Sequence, residues 1–391
     1  MSEPVIAHVE HSDSSRESSP GATAQEMLDK PAIGQFGGEP EPQSSRPAKK
    51  NWRPPSKWFF KPTEEQTFFE KMAAKDQVPA SVRETVTQEE YDARGPVPHE
   101  PLLPQHFLIL RYALIPVALH AASYHFFPQY TWPPAFAWFI YFLTMYRFAF
   151  AMIQYLNGVQ EKYGVFDQVN KPRDLAPDQH VNRLTIGVIL FLLVRPAIPV
   201  FLAYDRNISP LAGIDAWTPL RMIGYTIALD LPFYCYHRMT HELNSLWFVH
   251  RLHHGTKHPS VLLSILAGDI QELIEILLCP LIASYLMNMS FAELQVSAVY
   301  QLFTEAMGHS GARADLTNPI NSVFLKPFGL DIVLEDHDLH HRYGRSGLNF
   351  GKQTLVWDSL FGTKGERLET GKPFPYKHTA ETQPKAPILA H

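Results

Sequence analysis

Residues 222–254, MIGYTIALDLPFYCYHRMTHELNSLWFVHRLHH, run from an apolar helix-forming stretch straight into a histidine-rich one. The apolar part, Met222–Tyr236, has the composition of a short membrane helix. The eighteen residues after it hold His237, His241, His250, His253 and His254. With 19 histidines in 391 residues, a window of that size should hold about one. The spacing adds to the count, because His237 and His241 are four apart and project from one helical face. His250, His253 and His254 repeat this at i, i+3 and i+4, and His337, His340 and His341 do so again far downstream. Clustered imidazoles of one spacing repel or stay unsatisfied unless they face a cation. Eight of them exceed what one tetrahedral zinc needs and suit two metals with open positions.

Working outward, Phe107–Phe127, Pro134–Leu156 and Leu184–Tyr204 are each long enough to cross a hydrocarbon core of roughly 30 Å. Ile270–Met287 and Phe291–Met307 are shorter and carry Glu272, Glu275, Glu293 and Glu305, so they read as a shallow hairpin. The fold expected is all-α: a polytopic membrane bundle of about four spans plus that hairpin, under a histidine-rich helical cap. Arg111, Arg147, Arg195 and Asp230 lie inside the apolar segments, where charges face the bundle or snorkel to its edge, and they are given no catalytic role.

Residues 1–100 hold 29 of the chain's 73 charges and 12 of its 33 prolines, which marks them as a disordered tail. Within it Arg46, Lys49, Lys50, Arg53, Lys57 and Lys61 alternate with Trp52, Trp58, Phe59 and Phe60, a composition that suits an anionic membrane surface or a solvated linker. Residues 101–368 form the membrane domain, and 369–391 a flexible C-terminal tail. The basic tail and the loop 157–183, with Lys162, Lys171, Arg173 and Arg183, orient the chain by the positive-inside rule and place the histidine boxes on the cytosolic face.

The two cysteines, Cys235 and Cys279, sit in apolar segments, which excludes a disulfide scaffold and thiolate-bound iron–sulfur clusters. A net charge of −5 leaves no nucleic-acid footprint. His309, at the end of the hairpin, extends the ligand set, with Glu305 one turn earlier and His258 beside the second box as further candidates. Lipid C–H bonds offer neither an acidic proton nor a carbonyl, so attack on them needs an oxidant. Imidazole-bound iron with vacant positions supplies one from O2, which implies two Fe ions; zinc would fill the same ligands in purified protein. The alternative, a membrane metal transporter or metal-binding protein, would place its ligands at the bilayer midplane, whereas these boxes alternate with Arg238, Arg251, Lys257, Glu335, Asp336 and Arg342. Zinc hydrolysis lacks an H-E-x-x-H arrangement.

Over residues 219–366 the sequence resembles the fatty acid hydroxylase/sterol desaturase superfamily of membrane di-iron oxygenases. The resemblance rests on the three boxes, on His309-Ser310-Gly311, on Asn349-Phe350-Gly351 and on the segment from Trp357 to Thr363. It implies the eight box histidines as metal ligands, endoplasmic-reticulum residence, O2 as oxidant and electrons from NAD(P)H through a reductase and a cytochrome b5-type carrier. No fused carrier domain and no Gly-rich dinucleotide loop is present, so the donor is expected to be a separate protein. Hydroxylation and desaturation both remain open, as do fatty acyl, sphingoid, sterol and specialised lipophilic substrates.

Overall fold

A computed structural model describes residues 56–376. Among them no strand forms, only isolated bridges, and helices dominate. Six helical elements alternate in direction: α1 (Leu102–Phe126), α2 (Pro134–Tyr163), α3 (Val181–Ala203), α4 (Thr218–Glu242), α5 and α6 (Phe291–Ser310). α5 joins Asp269–Glu272 to Cys279–Leu286 through a π-helical turn over Leu273–Leu278. A short helix, α7 (Leu334–Tyr343), closes the domain. Among the described residues three helices are long and apolar enough to cross a membrane: Leu102–Phe126, Pro134–Tyr163 and the stretch Asp178–Ala203. Leu114, Ile115, Leu119, Phe139, Ile186 and Leu190 project outward from them, as lipid-facing residues do.

One pole of the bundle is aromatic. His120 of α1 stacks on Trp132 at 3.9 Å and meets Tyr141 of α2, Tyr204 beyond α3 and Phe291 of α6. There Arg221 of α4 reaches Glu293 of α6, whose capping box with Ser290 starts that helix. The opposite pole is polar and gathers the C-terminal ends of α2, α4 and α6. Gln160 of α2 donates to the Ser310 carbonyl, and α6 stops at Gly311, which takes the left-handed φ of +63°. Any Cβ at Gly311 would strike the Arg173 guanidinium, which is locked in a buried ion pair with Asp338 of α7 at 2.9 Å. The glycine is therefore required both by the turn and by that close approach.

Three expectations change. α5 and α6 do form a hairpin, but α6 is no shallow surface element: all twenty of its residues are buried, and it is the axis around which the other helices pack. Apolarity alone does not say whether a helix is buried by lipid or by protein. Secondly, residues 56–100 are folded. Trp58 is buried, with its indole N–H on the Ala176 carbonyl at 2.7 Å, while Thr67 and Thr87 cap short helices through reciprocal bonds with Glu70 and Glu90. Trp58 thus packs on the domain, not on a membrane surface; Arg46, Lys49, Lys50 and Arg53 lie outside the described residues. Thirdly, the domain continues past 368. Buried Glu369 accepts from Arg313 and from the Tyr91 hydroxyl, and the Tyr376 hydroxyl oxygen accepts from the Val97 amide.

Candidate metal centre

Each box is delivered by a different local device. His237 and His241 lie on the last two turns of α4 and face the polar pole. His250, His253 and His254 sit on a short helix and the 3-10 turn after it, Trp247–His250 and His253–Gly255. His337, His340 and His341 belong to α7, whose first turn is fixed by Asp336: its carboxylate accepts the Val333 amide at 2.8 Å and pairs with Arg367 through both oxygens at 2.8 Å. His309 is on the last turn of α6.

These nine rings, all buried, converge into two groups. His237, His241, His250, His254 and His340 form one, and His253, His309, His337 and His341 the other; within each, one candidate ligand nitrogen per ring lies within 4.8 Å of all the rest. The division cuts across the boxes. The second box sends His250 and His254 to the first group and His253 to the second, and the third box splits likewise.

The rings are oriented from behind. Nδ1 of His237 bonds the Phe350 carbonyl at 2.7 Å, that of His241 the Arg345 carbonyl at 3.1 Å and that of His340 the Leu348 carbonyl at 2.8 Å. His253 uses Leu266, His309 uses Glu305 and His341 uses Thr256 in the same way, at 3.2, 2.7 and 3.3 Å. His250 uses the Gln271 side-chain oxygen at 2.9 Å. A carbonyl only accepts, so each of these Nδ1 atoms carries the proton and each Nε2 presents a lone pair. Nε2 of His237, His241, His250 and His341 is buried with no hydrogen-bond partner. Nε2 of His253 faces Nε2 of His309 at 3.1 Å, and Nε2 of His340 faces that of His254 at 3.1 Å. In the His253–His309 contact, where both Nδ1 protons are held by carbonyls, the opposed lone pairs repel in a dry site, and a cation between them removes the repulsion; the donor set therefore fits bound metal.

Burial keeps the cap imidazoles neutral: it pushes His253 and His340 down to about 4 and His250, His254, His337 and His341 well below the usual imidazole range, with neighbouring rings adding to the effect in most of them. Neutral imidazole is the metal-binding form.

Two candidates from the sequence fall outside both groups. Glu305 turns from the rings to Lys352, Oε1 to Nζ at 2.7 Å, and lends only its backbone carbonyl to His309. His258 pairs through Nε2 with Asp167 at 3.4 Å. Conversely, nothing in the sequence marked Gln271, which orients His250, while Asp230, a charge within an apolar segment, has a structural role. Asp230 is fully buried and accepts the amides of Lys352, Gln353 and Thr354 at 2.8–3.0 Å, fixing the segment that offers Phe350 to His237. Asp358 does the same for the amides of Phe350 and Gly351 at 2.8 and 2.7 Å. The Asn349-Phe350-Gly351 and Trp357–Thr363 motifs were the visible signal for this scaffold.

Among known proteins, residues 222–363 match the family described as fatty acid hydroxylase. The fatty acid hydroxylase vlmA of Lecanicillium sp is 36% identical over 288 residues, which span 68% of this chain and 78% of that protein. Alkylglycerol monooxygenase of Homo sapiens is 24% identical over 142 residues, 35% of this chain and 29% of its own, and that of Caenorhabditis elegans 23% over 235 residues, 58% and 41%. No solved structure matches the chain significantly.

Proposed function

The chain belongs to the fatty acid hydroxylase family, and on that premise we propose that it is a membrane oxidoreductase that uses O2 to oxidise a C–H bond of a lipid. The two histidine groups are assigned as the ligands of two iron ions, five imidazoles on one and four on the other. Iron bound there supplies the reduction of O2 that oxygenation of an unactivated C–H bond requires. The reaction assigned is hydroxylation, R–H with O2, two electrons and two protons giving R–OH and water. The electrons come from a separate cytochrome b5-type protein and its NAD(P)H-dependent reductase, and the boxes face the cytosol from the endoplasmic-reticulum membrane.

The observation that carries this reading is the meeting of Nε2 atoms whose protons have been drawn to Nδ1 by carbonyl acceptors, above all His253 and His309 at 3.1 Å. The chain's own residues hold the rings at fixed tautomers, exclude water through burial and keep the imidazoles unprotonated at neutral pH. The length and apolarity of α1–α3 support a bilayer setting, where a lipid substrate is met. The names of the relatives, a fatty acid hydroxylase and alkylglycerol monooxygenases, agree with lipid hydroxylation over desaturation.

The test is reconstitution in nanodiscs with iron, cytochrome b5, its reductase and NADPH under ¹⁸O2, with lipids extracted from cells lacking the chain. One ¹⁸O atom in a lipid alcohol is expected. A product labelled from water, or no O2 uptake with full iron loading, overturns the proposal.

A further inference from the structure

Arg195 of α3 is 7% exposed, yet among the described residues its guanidinium makes no hydrogen bond. The Phe191 ring lies beneath it at 5.2 Å, and its nearest anion, Glu305 Oε2, is 3.8 Å away, beyond hydrogen-bond reach. Glu305 Oε2 is itself buried without a hydrogen-bond partner, because Lys352 Nζ takes Oε1 and bridges onward to Glu275 Oε2 at 2.7 Å. A buried acceptor that makes no hydrogen bond, Glu305 Oε2, is thus left in a loose ion pair with a guanidinium whose hydrogen-bonding capacity is unused.

Both line one pocket, together with Gln271, Glu272, Glu275 and Lys352. On one side this pocket shares Phe191, Ser264 and Ile265 with an apolar groove between α2 and α3. On the other side it shares Glu305 and Lys352 with a smaller cavity walled by His309 and His337, and its Gln271 holds His250. Groove, polar pocket and histidines therefore follow one another.

We propose that this pocket binds a hydroxyl group of a neutral long-chain lipid, with Arg195 donating to its oxygen, Glu305 accepting its proton in a hydrogen bond, and the hydrocarbon chain lying in the groove. The inference rests on the lipid-oxygenase reading and adds a substrate class to it. A hydroxyl both donates and accepts, so it satisfies the orphaned Glu305 Oε2 and uses the open hydrogen-bonding capacity of Arg195 at once. A methylene satisfies neither. A carboxylate accepts from Arg195 but brings a further negative charge to a lining that already sets Glu272, Glu275 and Glu305 against Arg195 and Lys352. Arg195 is then a substrate-binding residue in what read from sequence as a merely tolerated membrane charge.

The experiment measures displacement of tritiated 1-hexadecanol from the full chain in nanodiscs by hexadecanol, hexadecane and palmitate. The wild type should prefer the alcohol to either competitor by tenfold or more. Arg195→Met should lose the preference over hexadecane while still binding hexadecane. Glu305→Gln removes one negative charge and should narrow the disadvantage of palmitate about tenfold, a gain that misfolding does not produce. Equal binding of alcohol and alkane by the wild type, as expected if only water fills the pocket, overturns the proposal, as does tighter binding of palmitate or an unchanged pattern in Glu305→Gln. The assay needs neither iron nor electrons, so alcohol selectivity without turnover contradicts only the oxygenase reading, and turnover without selectivity contradicts only this one.

Discussion

His253 and His309, 56 residues apart in the chain, point their Nε2 atoms at each other across 3.1 Å while both Nδ1 protons are held by backbone carbonyls. The pair joins the second box to the end of the central helix. In the other group the Nε2 atoms of His340 and His254 meet at the same distance and join the third box to the second, with the Nδ1 proton of His340 held by the Leu348 carbonyl.

If each group holds its own ion, removing a ring from one should spare the other. His309→Ala and His340→Ala are each expected to lower bound iron from two per chain toward one and to reduce product formation at least about a hundredfold. Metal analysis of the purified variants checks this; retention of two ions in either variant contradicts the assignment of that ring.

Gln271 touches no candidate ion but fixes the tautomer of His250. Gln271→Leu should fold, since the side chain is of similar size, yet weaken metal retention about 10- to 100-fold in chelator competition. Unchanged retention would mean that the His250 ring is held by packing alone.

Burial depresses the pKa of His253 and His340 to about 4, against about 6.5 in an unfolded chain. A depressed folded pKa stabilises above the unfolded value and the benefit disappears as pH falls through the folded one. Metal-stripped protein should therefore hold its stability above pH 6.5 and lose it between 6.5 and 4, by about 1.4 kcal/mol per pH unit for each such ring. Denaturant midpoints in nanodiscs across that range provide the check, and a flat profile would contradict neutral burial.

The segment from residue 56 to 100 is part of the domain through the Trp58 indole seated against Ala176. Trp58→Ala should cost about 3–5 kcal/mol locally and expose this segment to protease. Limited proteolysis that cuts wild type and variant equally fast would show that the segment is not docked.

The gathering of the rings was legible in the sequence because histidine is scarce and its spacing is helical, so that eight imidazoles at three places pointed to a common site. The partition into two groups was not legible, since every turn of helix that carries an i, i+3, i+4 set faces two ways once a second helix crosses it. Nor were the acceptors behind the rings, because a backbone carbonyl such as Phe350 or Leu348 has no residue type. The membrane spans could be read from length and apolarity in α1 to α3, whereas α6, short and acid-bearing, read as one arm of a shallow hairpin although protein surrounds it completely. Glu305 was drawn toward the metal by its position one turn before His309; what turned it away was Lys352, distant in sequence and without any pattern of its own.

The most direct measurement is an anomalous difference map at the iron edge from crystals of the iron-loaded protein. Two peaks are predicted, one enclosed by His237, His241, His250, His254 and His340 and the other by His253, His309, His337 and His341. A single peak, or iron bound elsewhere with the two groups empty, would contradict the account.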